Sequence, residues 1–172
     1  MSKIPDKLIA YRAYKDGKDM LGIADVELPD IEAMSDTIKG AGISGEVDLP
    51  TLGHIGAMSM TINWRSVCGD LVALSAPVTH ALDFRASQQV FDNVEGKLKT
   101  VAVKHIVRAI PKKITPGKME TGASTESGNE FSVLYYKMVL DGKVAVEIDP
   151  FNYIYIVNGI DYLKEVRRDL GL

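Results

Sequence analysis

The chain has 172 residues and a formal net charge of −3, with 46% hydrophobic and 25% charged residues. This composition is ordinary for a globular protein and excludes a fully disordered chain. The acidic balance argues against a dedicated DNA-binding or anionic-membrane-binding protein, because such proteins usually carry an excess of basic residues. The single cysteine, Cys68, excludes an intrachain disulfide framework and a cysteine-rich zinc site.

The sequence shows neither a targeting segment nor a membrane span. The first ten residues contain two lysines and an aspartate and no apolar run, so they do not resemble a secretory signal. The uncharged stretch over residues 49–64 is too short and too polar to cross a bilayer. We therefore expect a soluble protein synthesised in the cytosol, with a single domain over residues 1–172.

The N-terminal third predicts a hairpin followed by an arm. Residues 11–15 and 18–26 flank Asp16-Gly17, and Asp-Gly supplies the positive φ angles that a tight turn needs. Residues 29–56 contain five glycines and two prolines and show no sustained period. Long segments without a regular element are usually functional or disordered, so we expect a long extended arm that becomes ordered against a partner.

The middle of the chain predicts three strands and a short helix. Residues 57–65 alternate between two faces. One face is apolar and the other polar: Met58, Met60, Ile62 and Trp64 against Ser59, Thr61, Asn63 and Arg65. Ser66 is in position to cap a helix that runs to Ala76, with Val67, Leu71 and Leu74 on its apolar face. Residues 82–87 alternate, and residues 100–110 are rich in β-branched side chains, which predicts two further strands.

The C-terminal part predicts a loop, three strands and a helix. Residues 111–130 are rich in Pro, Gly, Ser and Thr and predict a second flexible loop. Residues 131–140 and 143–148 flank Asp141-Gly142 as a second hairpin, and residues 151–157 predict a further strand. The last helix is predicted over residues 160–170, because its apolar residues have helical spacing: Ile160, Leu163, Val166 and Leu170. The chain is therefore predicted to be mainly β.

Charge is distributed in two opposed blocks. Residues 25–48 hold seven acids and one base, and residues 97–118 hold seven bases and no acid. The bases are Lys97, Lys99, Lys104, Arg108, Lys112, Lys113 and Lys118. The blocks are either two solvated faces of one domain or complementary patches that meet within or between subunits. No Phe, Tyr or Trp lies between residues 97 and 118, which argues against a platform that stacks nucleic-acid bases.

Motifs for catalysis or cofactor binding are weak. Residues 40–45 match the G-x-G-x-x-G pattern of dinucleotide sites, but no β-α-β unit surrounds them, so a flexible glycine-rich arm is the better interpretation. His54, His80 and His105 are scattered over different elements and predict no metal site. Cys68 lies on an apolar helix face and is interpreted as a core residue rather than a nucleophile. No residue therefore stands out as catalytic and no cofactor is predicted, although an enzyme stays possible at this point.

Short motifs in a fixed order run through nearly the whole chain. The N-terminal ones are Asp16-Gly17, Leu28-Pro29, Gly40-Ala41-Gly42 and Gly45, and Thr125-Glu126-Ser127 precedes the last hairpin. The densest set lies near the C-terminus: Leu140-Asp141-Gly142-Lys143, Val146-Glu147-Ile148-Asp149, Val157-Asn158-Gly159-Ile160-Asp161, Arg167-Arg168 and Gly171-Leu172. In order and spacing, these motifs resemble the major tail tube proteins of contractile-tailed bacteriophages and of R-type bacteriocins.

The resemblance implies two packed antiparallel sheets, as a sandwich or partial barrel, with a short flanking helix and a C-terminal helix. It implies hexameric rings in which strands of all subunits join one ring-wide barrel, and a tube of stacked rings that forms a conduit through the bacterial envelope. The implied partners are further copies of the chain, the tail sheath protein, and tape-measure, baseplate and tail-terminator proteins. DNA only passes through the lumen, and the subunit itself binds no membrane.

The implied location is a virion tail or a phage-tail-like particle that is assembled in the bacterial cytoplasm. The resemblance implies a non-enzymatic structural protein, but two alternatives stay open at this point. A type VI secretion tube protein is similar in fold and task, whereas a monomeric binding or enzyme domain would be a single compact species with a well-formed apolar pocket.

Within this interpretation, four groups of residues are candidate contact sites. The inter-ring arm carries Asp36, Gly40, Gly42, Gly45, Glu46 and Asp48, and the seven bases between Lys97 and Lys118 form the complementary basic segment. Opposite charges suit head-to-tail stacking of rings. The lumen face is assigned to Ser59, Thr61 and Asn63, because small polar side chains let DNA slide without sticking. Arg167, Arg168 and Asp169 are predicted to be exposed and to face the sheath.

Overall fold

A computed structural model describes residues 3–22 and 25–172. In these ranges the chain forms twelve strands and two short helices. The strands are β1 (Lys3–Lys15), β2 (Asp19–Leu21), β3 (Asp25–Glu27), β4 (Ala33–Lys39), β5 (Glu46–Ile55), β6 (Met58–Trp64), β7 (His80–Asp92), β8 (Lys97–Thr115), β9 (Ser127–Leu140), β10 (Lys143–Asp149), β11 (Ile154–Val157) and β12 (Ile160–Asp161). The helices are α1 (Gly69–Ala73) and α2 (Lys164–Leu170).

Two antiparallel sheets contain all of these strands. Ten strands form one sheet, of which eight follow the path β12-β11-β10-β9-β8-β7-β1-β2 while β3 and β6 lie off it, and β4 and β5 form a sheet of their own. The long strand β9 branches the large sheet, because residues 127–133 pair with β6 and residues 136–140 pair with β10. Strand β3 adds to the free side of β6. The predicted mainly β fold with two antiparallel sheets is confirmed.

The core lies between the β6 branch and the β1-β7-β8 part of the large sheet. Buried apolar residues from both parts form one cluster: Ala13, Met58, Met60, Ile62, Trp64, Leu82, Phe84, Val107, Ala109, Phe131 and Val133. Alternation along β6 places its even-numbered residues in this cluster, as the sequence predicts. Burial of these side chains is the main favourable term in folding of the subunit.

Both Asp-Gly pairs form the predicted tight turns. The φ angles are 51° and 70° at Asp16-Gly17 and 48° and 78° at Asp141-Gly142. The strand after the first turn is shorter than predicted, because β2 ends at Leu21. The predicted strand over 18–26 includes positions 23 and 24, which lie outside the described residues, and β3 pairs with β6 rather than with β1.

Helix α1 starts later than predicted. Its N-cap residue is Cys68 rather than Ser66, and Val67 is exposed instead of lying on the apolar face. Leu71 is buried, as predicted, and Cys68 packs against the core. The helix is fixed by core packing and not by a side-chain cap, since none is formed at its N-terminus.

A buried polar network holds α1 to the sheet. Trp64 Nε1 donates a hydrogen bond to Asn129 Oδ1 at 2.8 Å. Asn129 Nδ2 donates to the Leu71 carbonyl at 3.2 Å and to Ser75 Oγ at 3.0 Å. Both polar ends of the buried Asn129 amide are therefore satisfied.

The C-terminal segment begins as a strand and not as a helix. Asn158-Gly159 forms a turn with φ angles of 49° and 82°, and it folds β12 back onto β11. Ile160 is therefore 59% exposed in β12 instead of packing on a helix face, and α2 begins only at Lys164. The strand predicted over 151–157 begins at Ile154, since Tyr153 has a positive φ of 50°.

The predicted flexible loop over 111–130 is limited to residues 116–126. β8 continues to Thr115 and β9 begins at Ser127, so both ends of the predicted loop lie in strands. Pro111 is opposite Phe131, and Thr115 is opposite Gly128. Pairing with the long strand β9 overrides the loop-like local composition.

Candidate functional site

The predicted arm is a β-hairpin that its own subunit covers little. β4 and β5 pair with each other and with no other strand of the described residues. All seven residues of β4 are exposed, and β5 is exposed from Glu46 through Leu52. The hairpin carries large exposed apolar side chains: Met34, Ile38, Val47, Leu49 and Leu52. An isolated two-stranded hairpin is marginally stable in water, so this arm needs another surface to pack against.

The glycine motif forms the tip of the arm. Gly40, Gly42 and Gly45 lie in the turn between β4 and β5, and the Ile43 N–H donates to the Gly40 carbonyl at 3.1 Å. A dinucleotide site would need a helix to begin here, but β5 begins at Glu46. The structure thus agrees with a hairpin arm and not with a dinucleotide site.

Two of the three acids assigned to the arm contact neighbouring residues of the hairpin. Glu46 Oε1 lies 3.3 Å from Lys39 Nζ across the hairpin. Asp36 Oδ1 accepts a hydrogen bond from the Thr37 N–H at 2.9 Å, and Asp48 lies opposite Thr37 in the register. Within residues 3–22 and 25–172, none of these acids forms an ion pair with the basic segment. Among the described residues, no ion pair therefore joins the two charge blocks.

Acids of the same subunit neutralise much of the basic segment on β8. The ion pairs are Lys99–Asp92 (2.8 Å), Lys99–Glu95 (2.8 Å), Lys104–Asp83 (3.0 Å), Lys112–Glu130 (3.2 Å) and Lys118–Glu126 (3.6 Å). The Arg108 guanidinium lies 5.4 Å from the centre of the Tyr135 ring. Lys97 and Lys113 have no ion-pair partner in the described part of the chain. These two lysines are the least compensated charges of the segment.

A tight turn at the start of the basic segment depends on Asp92. Its Oδ1 accepts hydrogen bonds from the backbone N–H groups of Val94 and Glu95, and its Oδ2 lies 2.8 Å from Lys99 Nζ. The hydrogen bond from Lys99 stabilises the ionised carboxylate and lowers the pKa of Asp92. Lys99 is therefore a structural residue of this turn.

The polar face of β6 continues onto its neighbouring strands. In the register, the facing residues are Ser132 for Ser59, Glu27 and Glu130 for Thr61, and Asp25 and Gly128 for Asn63. Asn63 Nδ2 donates a hydrogen bond to Asp25 Oδ1 at 2.5 Å. The three residues assigned to the lumen thus share one sheet face, which is built of small polar and acidic side chains.

Arg167 acts as an internal clamp. Its guanidinium donates to the Asp161 carboxylate and, at 2.6 Å, to the Tyr153 carbonyl. The hydrogen bond from Arg167 lowers the pKa of Asp161. Arg167 is half-buried because it is held against Asp161 of β12, whereas Arg168 and Asp169 are exposed and pair with each other at 2.9 Å.

Sequence reasoning missed an extension of the large sheet. β1 begins at Lys3, far ahead of the predicted start at residue 11, and it pairs with the end of β7, which pairs with the start of β8. Ile4, Phe91 and Leu98 lie directly opposite one another across these three strands, and all three are exposed. Register shifts between residues 5 and 10 of β1 disrupt the alternation that would have revealed the strand.

In residues 3–22 and 25–172, no three His, Cys, Asp or Glu side chains are grouped to hold a metal ion. No helix in these ranges is long and apolar enough to span a bilayer. His80 Nε2 is hydrogen-bonded to the Ala76 carbonyl at 3.0 Å, and His105 Nδ1 to the Tyr136 hydroxyl at 2.9 Å. Both histidines serve the fold.

Residues 5–171 match the model of a family described as phage tail tube protein FII. The chain belongs to this family. One curated relative is the tail tube protein of Escherichia phage P2, 32% identical over 176 residues that cover 98% of this chain and 99% of that protein. Another is the major tail tube protein of Serratia phage KSP20, 26% identical over 171 residues that cover 98% of each. The resemblance inferred from the sequence is confirmed, and so is the prediction of a non-enzymatic, structural tail tube protein.

Solved structures share the fold at low identity. The sheath/tube terminator of an extracellular contractile injection system, PVC, has a TM-score of 0.55 and 12% identity, covering 78% of this chain and 96% of that chain. The PVC sheath-tube complex has a TM-score of 0.51 and 13% identity, covering 80% and 90%. These likenesses support the two-sheet architecture of this tail tube protein.

Proposed function

We propose that this tail tube protein assembles as stacked hexameric rings into the inner tube of a contractile phage tail or a phage-tail-like bacteriocin. The tube is the conduit through the bacterial envelope, and the subunit works by polymerisation. One observation carries the proposal: a member of a tail tube family leaves a long strand edge and a complete hairpin without partners among its own described residues.

The edge of β1 suits ring closure. β2 pairs only with residues 13–15 of β1, and residues 3–10 pair with β7 on one side and have no described strand on the other. Such an edge presents unpaired N–H and C=O groups, which favour pairing with another chain. We assign this edge to the adjacent subunit of the ring, so that the strands of all subunits join a ring-wide barrel.

The arm suits the stacking of rings. Its exposed apolar side chains pack on the next ring, and Asp36, Glu46 and Asp48 approach the basic segment there. Lys97 and Lys113 are the favoured targets, because the other bases already have acidic or aromatic neighbours in their own subunit. This contact joins different surfaces of two copies, and a heterologous contact of that kind extends in one direction.

The polar face of β6 suits the lumen. Ser59, Thr61 and Asn63 are small and polar, and the neighbouring Asp25 and Glu27 add negative charge to the same face. A face of this character repels the phosphate backbone, so DNA passes without binding.

The outer surface suits the other components of a tail. Arg168 and Asp169 on α2 are exposed and are assigned to the sheath contact. The tape-measure, baseplate and tail-terminator proteins complete the set of proposed partners. The particle is a virion tail or tail-like assembly that is built in the bacterial cytoplasm, and the subunit itself binds no membrane.

Electron microscopy of the purified protein tests the assembly. We expect hollow tubes or six-membered rings in negative stain as the concentration rises. A protein that stays a single subunit at every concentration and salt condition contradicts the proposal.

Charge reversal tests the stacking contact. Lys97→Glu with Lys113→Glu should shorten or abolish tubes while single rings persist, because the acidic arm then meets negative charge. Lys143→Glu reverses an exposed lysine outside the segment and serves as the control. Tubes of unchanged length at low salt, where the charges are least screened, contradict the contact.

Thiol labelling tests the lumen assignment in a Cys68→Ser background. Ser59→Cys should react with a bulky maleimide in dissociated subunits but not along the wall of assembled tubes. Thr121→Cys, in the exposed loop after β8, is the matched control for reagent access. Equal labelling of Ser59→Cys in both states contradicts the assignment.

A further inference from the structure

The base of the arm contains an asymmetric bulge. Ala33 pairs with Ile55, and the next pair is Ser35 with Pro50. Between these two pairs β4 has one residue, whereas β5 has the four residues 51–54. β5 therefore loops outward at this point, and such an insertion bends a hairpin. The direction of the arm depends on how this bulge is supported.

Leu163 packs directly against the bulge. At Gly53, which has a φ of +67°, an added Cβ would lie 2.5 Å from Leu163 Cδ2 and 2.7 Å from Leu163 Cγ. Leu163 itself is only 6% exposed. A side chain at position 53 would displace Leu163, and the left-handed backbone disfavours any residue other than glycine. The contact is therefore specific to glycine at this position.

The C-terminal segment fixes Leu163 in turn. The Leu163 N–H donates to Asp161 Oδ1 at 3.1 Å, and the Leu163 carbonyl accepts the N–H of Arg167 at 3.0 Å. The Arg167 guanidinium then ties Asp161 to the Tyr153 carbonyl. The leucine thus projects from a backbone that two hydrogen bonds and an ion pair hold in place.

Open clefts flank this contact. One cleft, of 400 Å³, lies between residues 50–55 and the side of β11 that carries Tyr155 and Val157. The other, of 520 Å³, extends from the same segment to Pro150 and Val166. Gly53 lines both clefts and Leu163 lines the second, so the base of the arm is loosely packed around their contact.

We propose that Leu163 is the positioning residue of the arm, seated in the Gly53 bulge and held there by the Arg167–Asp161 clamp. The inference rests on the proposed function, in which the arm must reach a neighbouring ring. A hairpin without this support samples many directions and loses that freedom on docking, which weakens association. The contact also couples helix α2 to the arm, since Leu163 is the N-cap residue of α2 and packs against Gly53.

Spin-label distances in the unassembled subunit test the positioning role. Labels at Ser44→Cys, at the arm tip, and Thr100→Cys, on β8, report the spread of arm directions in a Cys68→Ser background. We expect Leu163→Ala to broaden the distance distribution by about twofold or more, because a local contact that limits the motion is lost. Leu163→Met should restore most of the narrow distribution, and Leu170→Ala, which alters an exposed residue of the same helix, should leave it unchanged. An unchanged width in Leu163→Ala overturns the proposal.

Gly53→Ala gives an independent reading if Leu163→Ala fails to fold. This variant keeps the leucine in the sequence, but the added methyl group excludes its side chain from the bulge, so the same broadening is expected. A narrow distribution in a folded Gly53→Ala protein also overturns the proposal.

Tube formation by the same variants separates this inference from the proposed function. A broadened distribution with shortened tubes supports both. A broadened distribution with tubes of normal length supports the positioning contact and contradicts the role of the arm in stacking. A narrow distribution with lost tubes contradicts the positioning role and leaves the proposed function standing.

Discussion

Two hairpins of this protein differ in where their stability comes from. The β9–β10 hairpin lies within the large sheet and contributes Phe131, Val133 and Tyr136 to the core. The β4–β5 hairpin is a sheet of its own, with no buried residue. The β9–β10 hairpin is stabilised by its own subunit, whereas the β4–β5 hairpin needs contacts with another molecule. The contrast separates the residues that fold the subunit from those that we assign to assembly.

Removing a core side chain from the β9–β10 hairpin should have the largest effect on the stability of the subunit. Phe131 is fully buried in β9, opposite Met60 and edge-on to His80 with ring centres 6.5 Å apart. We expect Phe131→Ala to lower the free energy of unfolding by about 3–5 kcal/mol, measured by urea denaturation of the unassembled subunit. Phe151→Ala, at a residue 76% exposed, should change it by less than about 0.5 kcal/mol. Similar values for the two variants would contradict the assignment of the core.

The buried polar network on β9 should come next. Asn129→Ala leaves Trp64 Nε1 without its acceptor and removes the hydrogen bonds to the Leu71 carbonyl and Ser75 Oγ, so we expect a loss of about 2–3 kcal/mol. Adding Trp64→Phe removes the unpaired donor. The double variant should therefore lose less than the sum of the single losses, whereas strict additivity would mean that the two side chains do not interact.

The β9–β10 hairpin was predictable from the sequence because two local signals agree there. Asp141-Gly142 specifies the turn, and the flanking strands carry the β-branched and aromatic residues that sheets favour. The same reasoning predicts the alternation of β6, whose faces the structure confirms. Where a strand has one buried face, its environment is written into its residue pattern.

The arm was predictable only as an unusual segment, since a hairpin with both faces exposed has no alternation to read. The C-terminal segment failed for another reason. Helical spacing from Ile160 competed with the turn at Asn158-Gly159, and pairing of β12 with β11 prevailed. The contact of Gly53 with Leu163 joins residues far apart in the chain, so no local pattern could reveal it. The exposure of Arg168 and Asp169 was predictable, but the hydrogen bonds of Arg167 to the Tyr153 carbonyl and to Asp161 were not.

A substitution in the turn of the β9–β10 hairpin should have an intermediate effect on the stability of the subunit. Gly142 has a φ of 78°, and the space that an added Cβ would occupy is open, so Gly142→Ala tests backbone strain alone. We expect a loss of about 1 kcal/mol in thermal unfolding. Gly22→Ala, at a glycine that has no such φ, should stay within about 0.5 kcal/mol. An equal response of the two glycines would contradict the strained turn.

Burial of His105, on β8 beside the β9–β10 hairpin, should make the stability of the subunit depend weakly on pH. Desolvation lowers the pKa of His105, which contacts the Tyr136 hydroxyl and lies opposite Phe84 and Met138. Below the unfolded pKa of about 6.5, the unfolded chain binds a proton that the folded chain does not, so stability falls until the lower folded pKa is reached. His105→Gln should reduce the change of the urea midpoint with pH over this range. His54→Gln, at an exposed residue, should leave the pH dependence of the midpoint as it is.

The arm should show the smallest effect on the subunit. Val47→Ser with Leu49→Ser removes two exposed apolar side chains, so we expect the free energy of unfolding to change by less than about 0.5 kcal/mol. The same double variant should form far fewer tubes in negative stain, because those side chains are assigned to the next ring. Val133→Ser makes the same kind of replacement in the buried face of β9 and should destabilise the subunit itself. A large loss of stability in the arm variant would mean that the hairpin packs on its own body, and unaltered tubes would mean that its apolar face does not join rings.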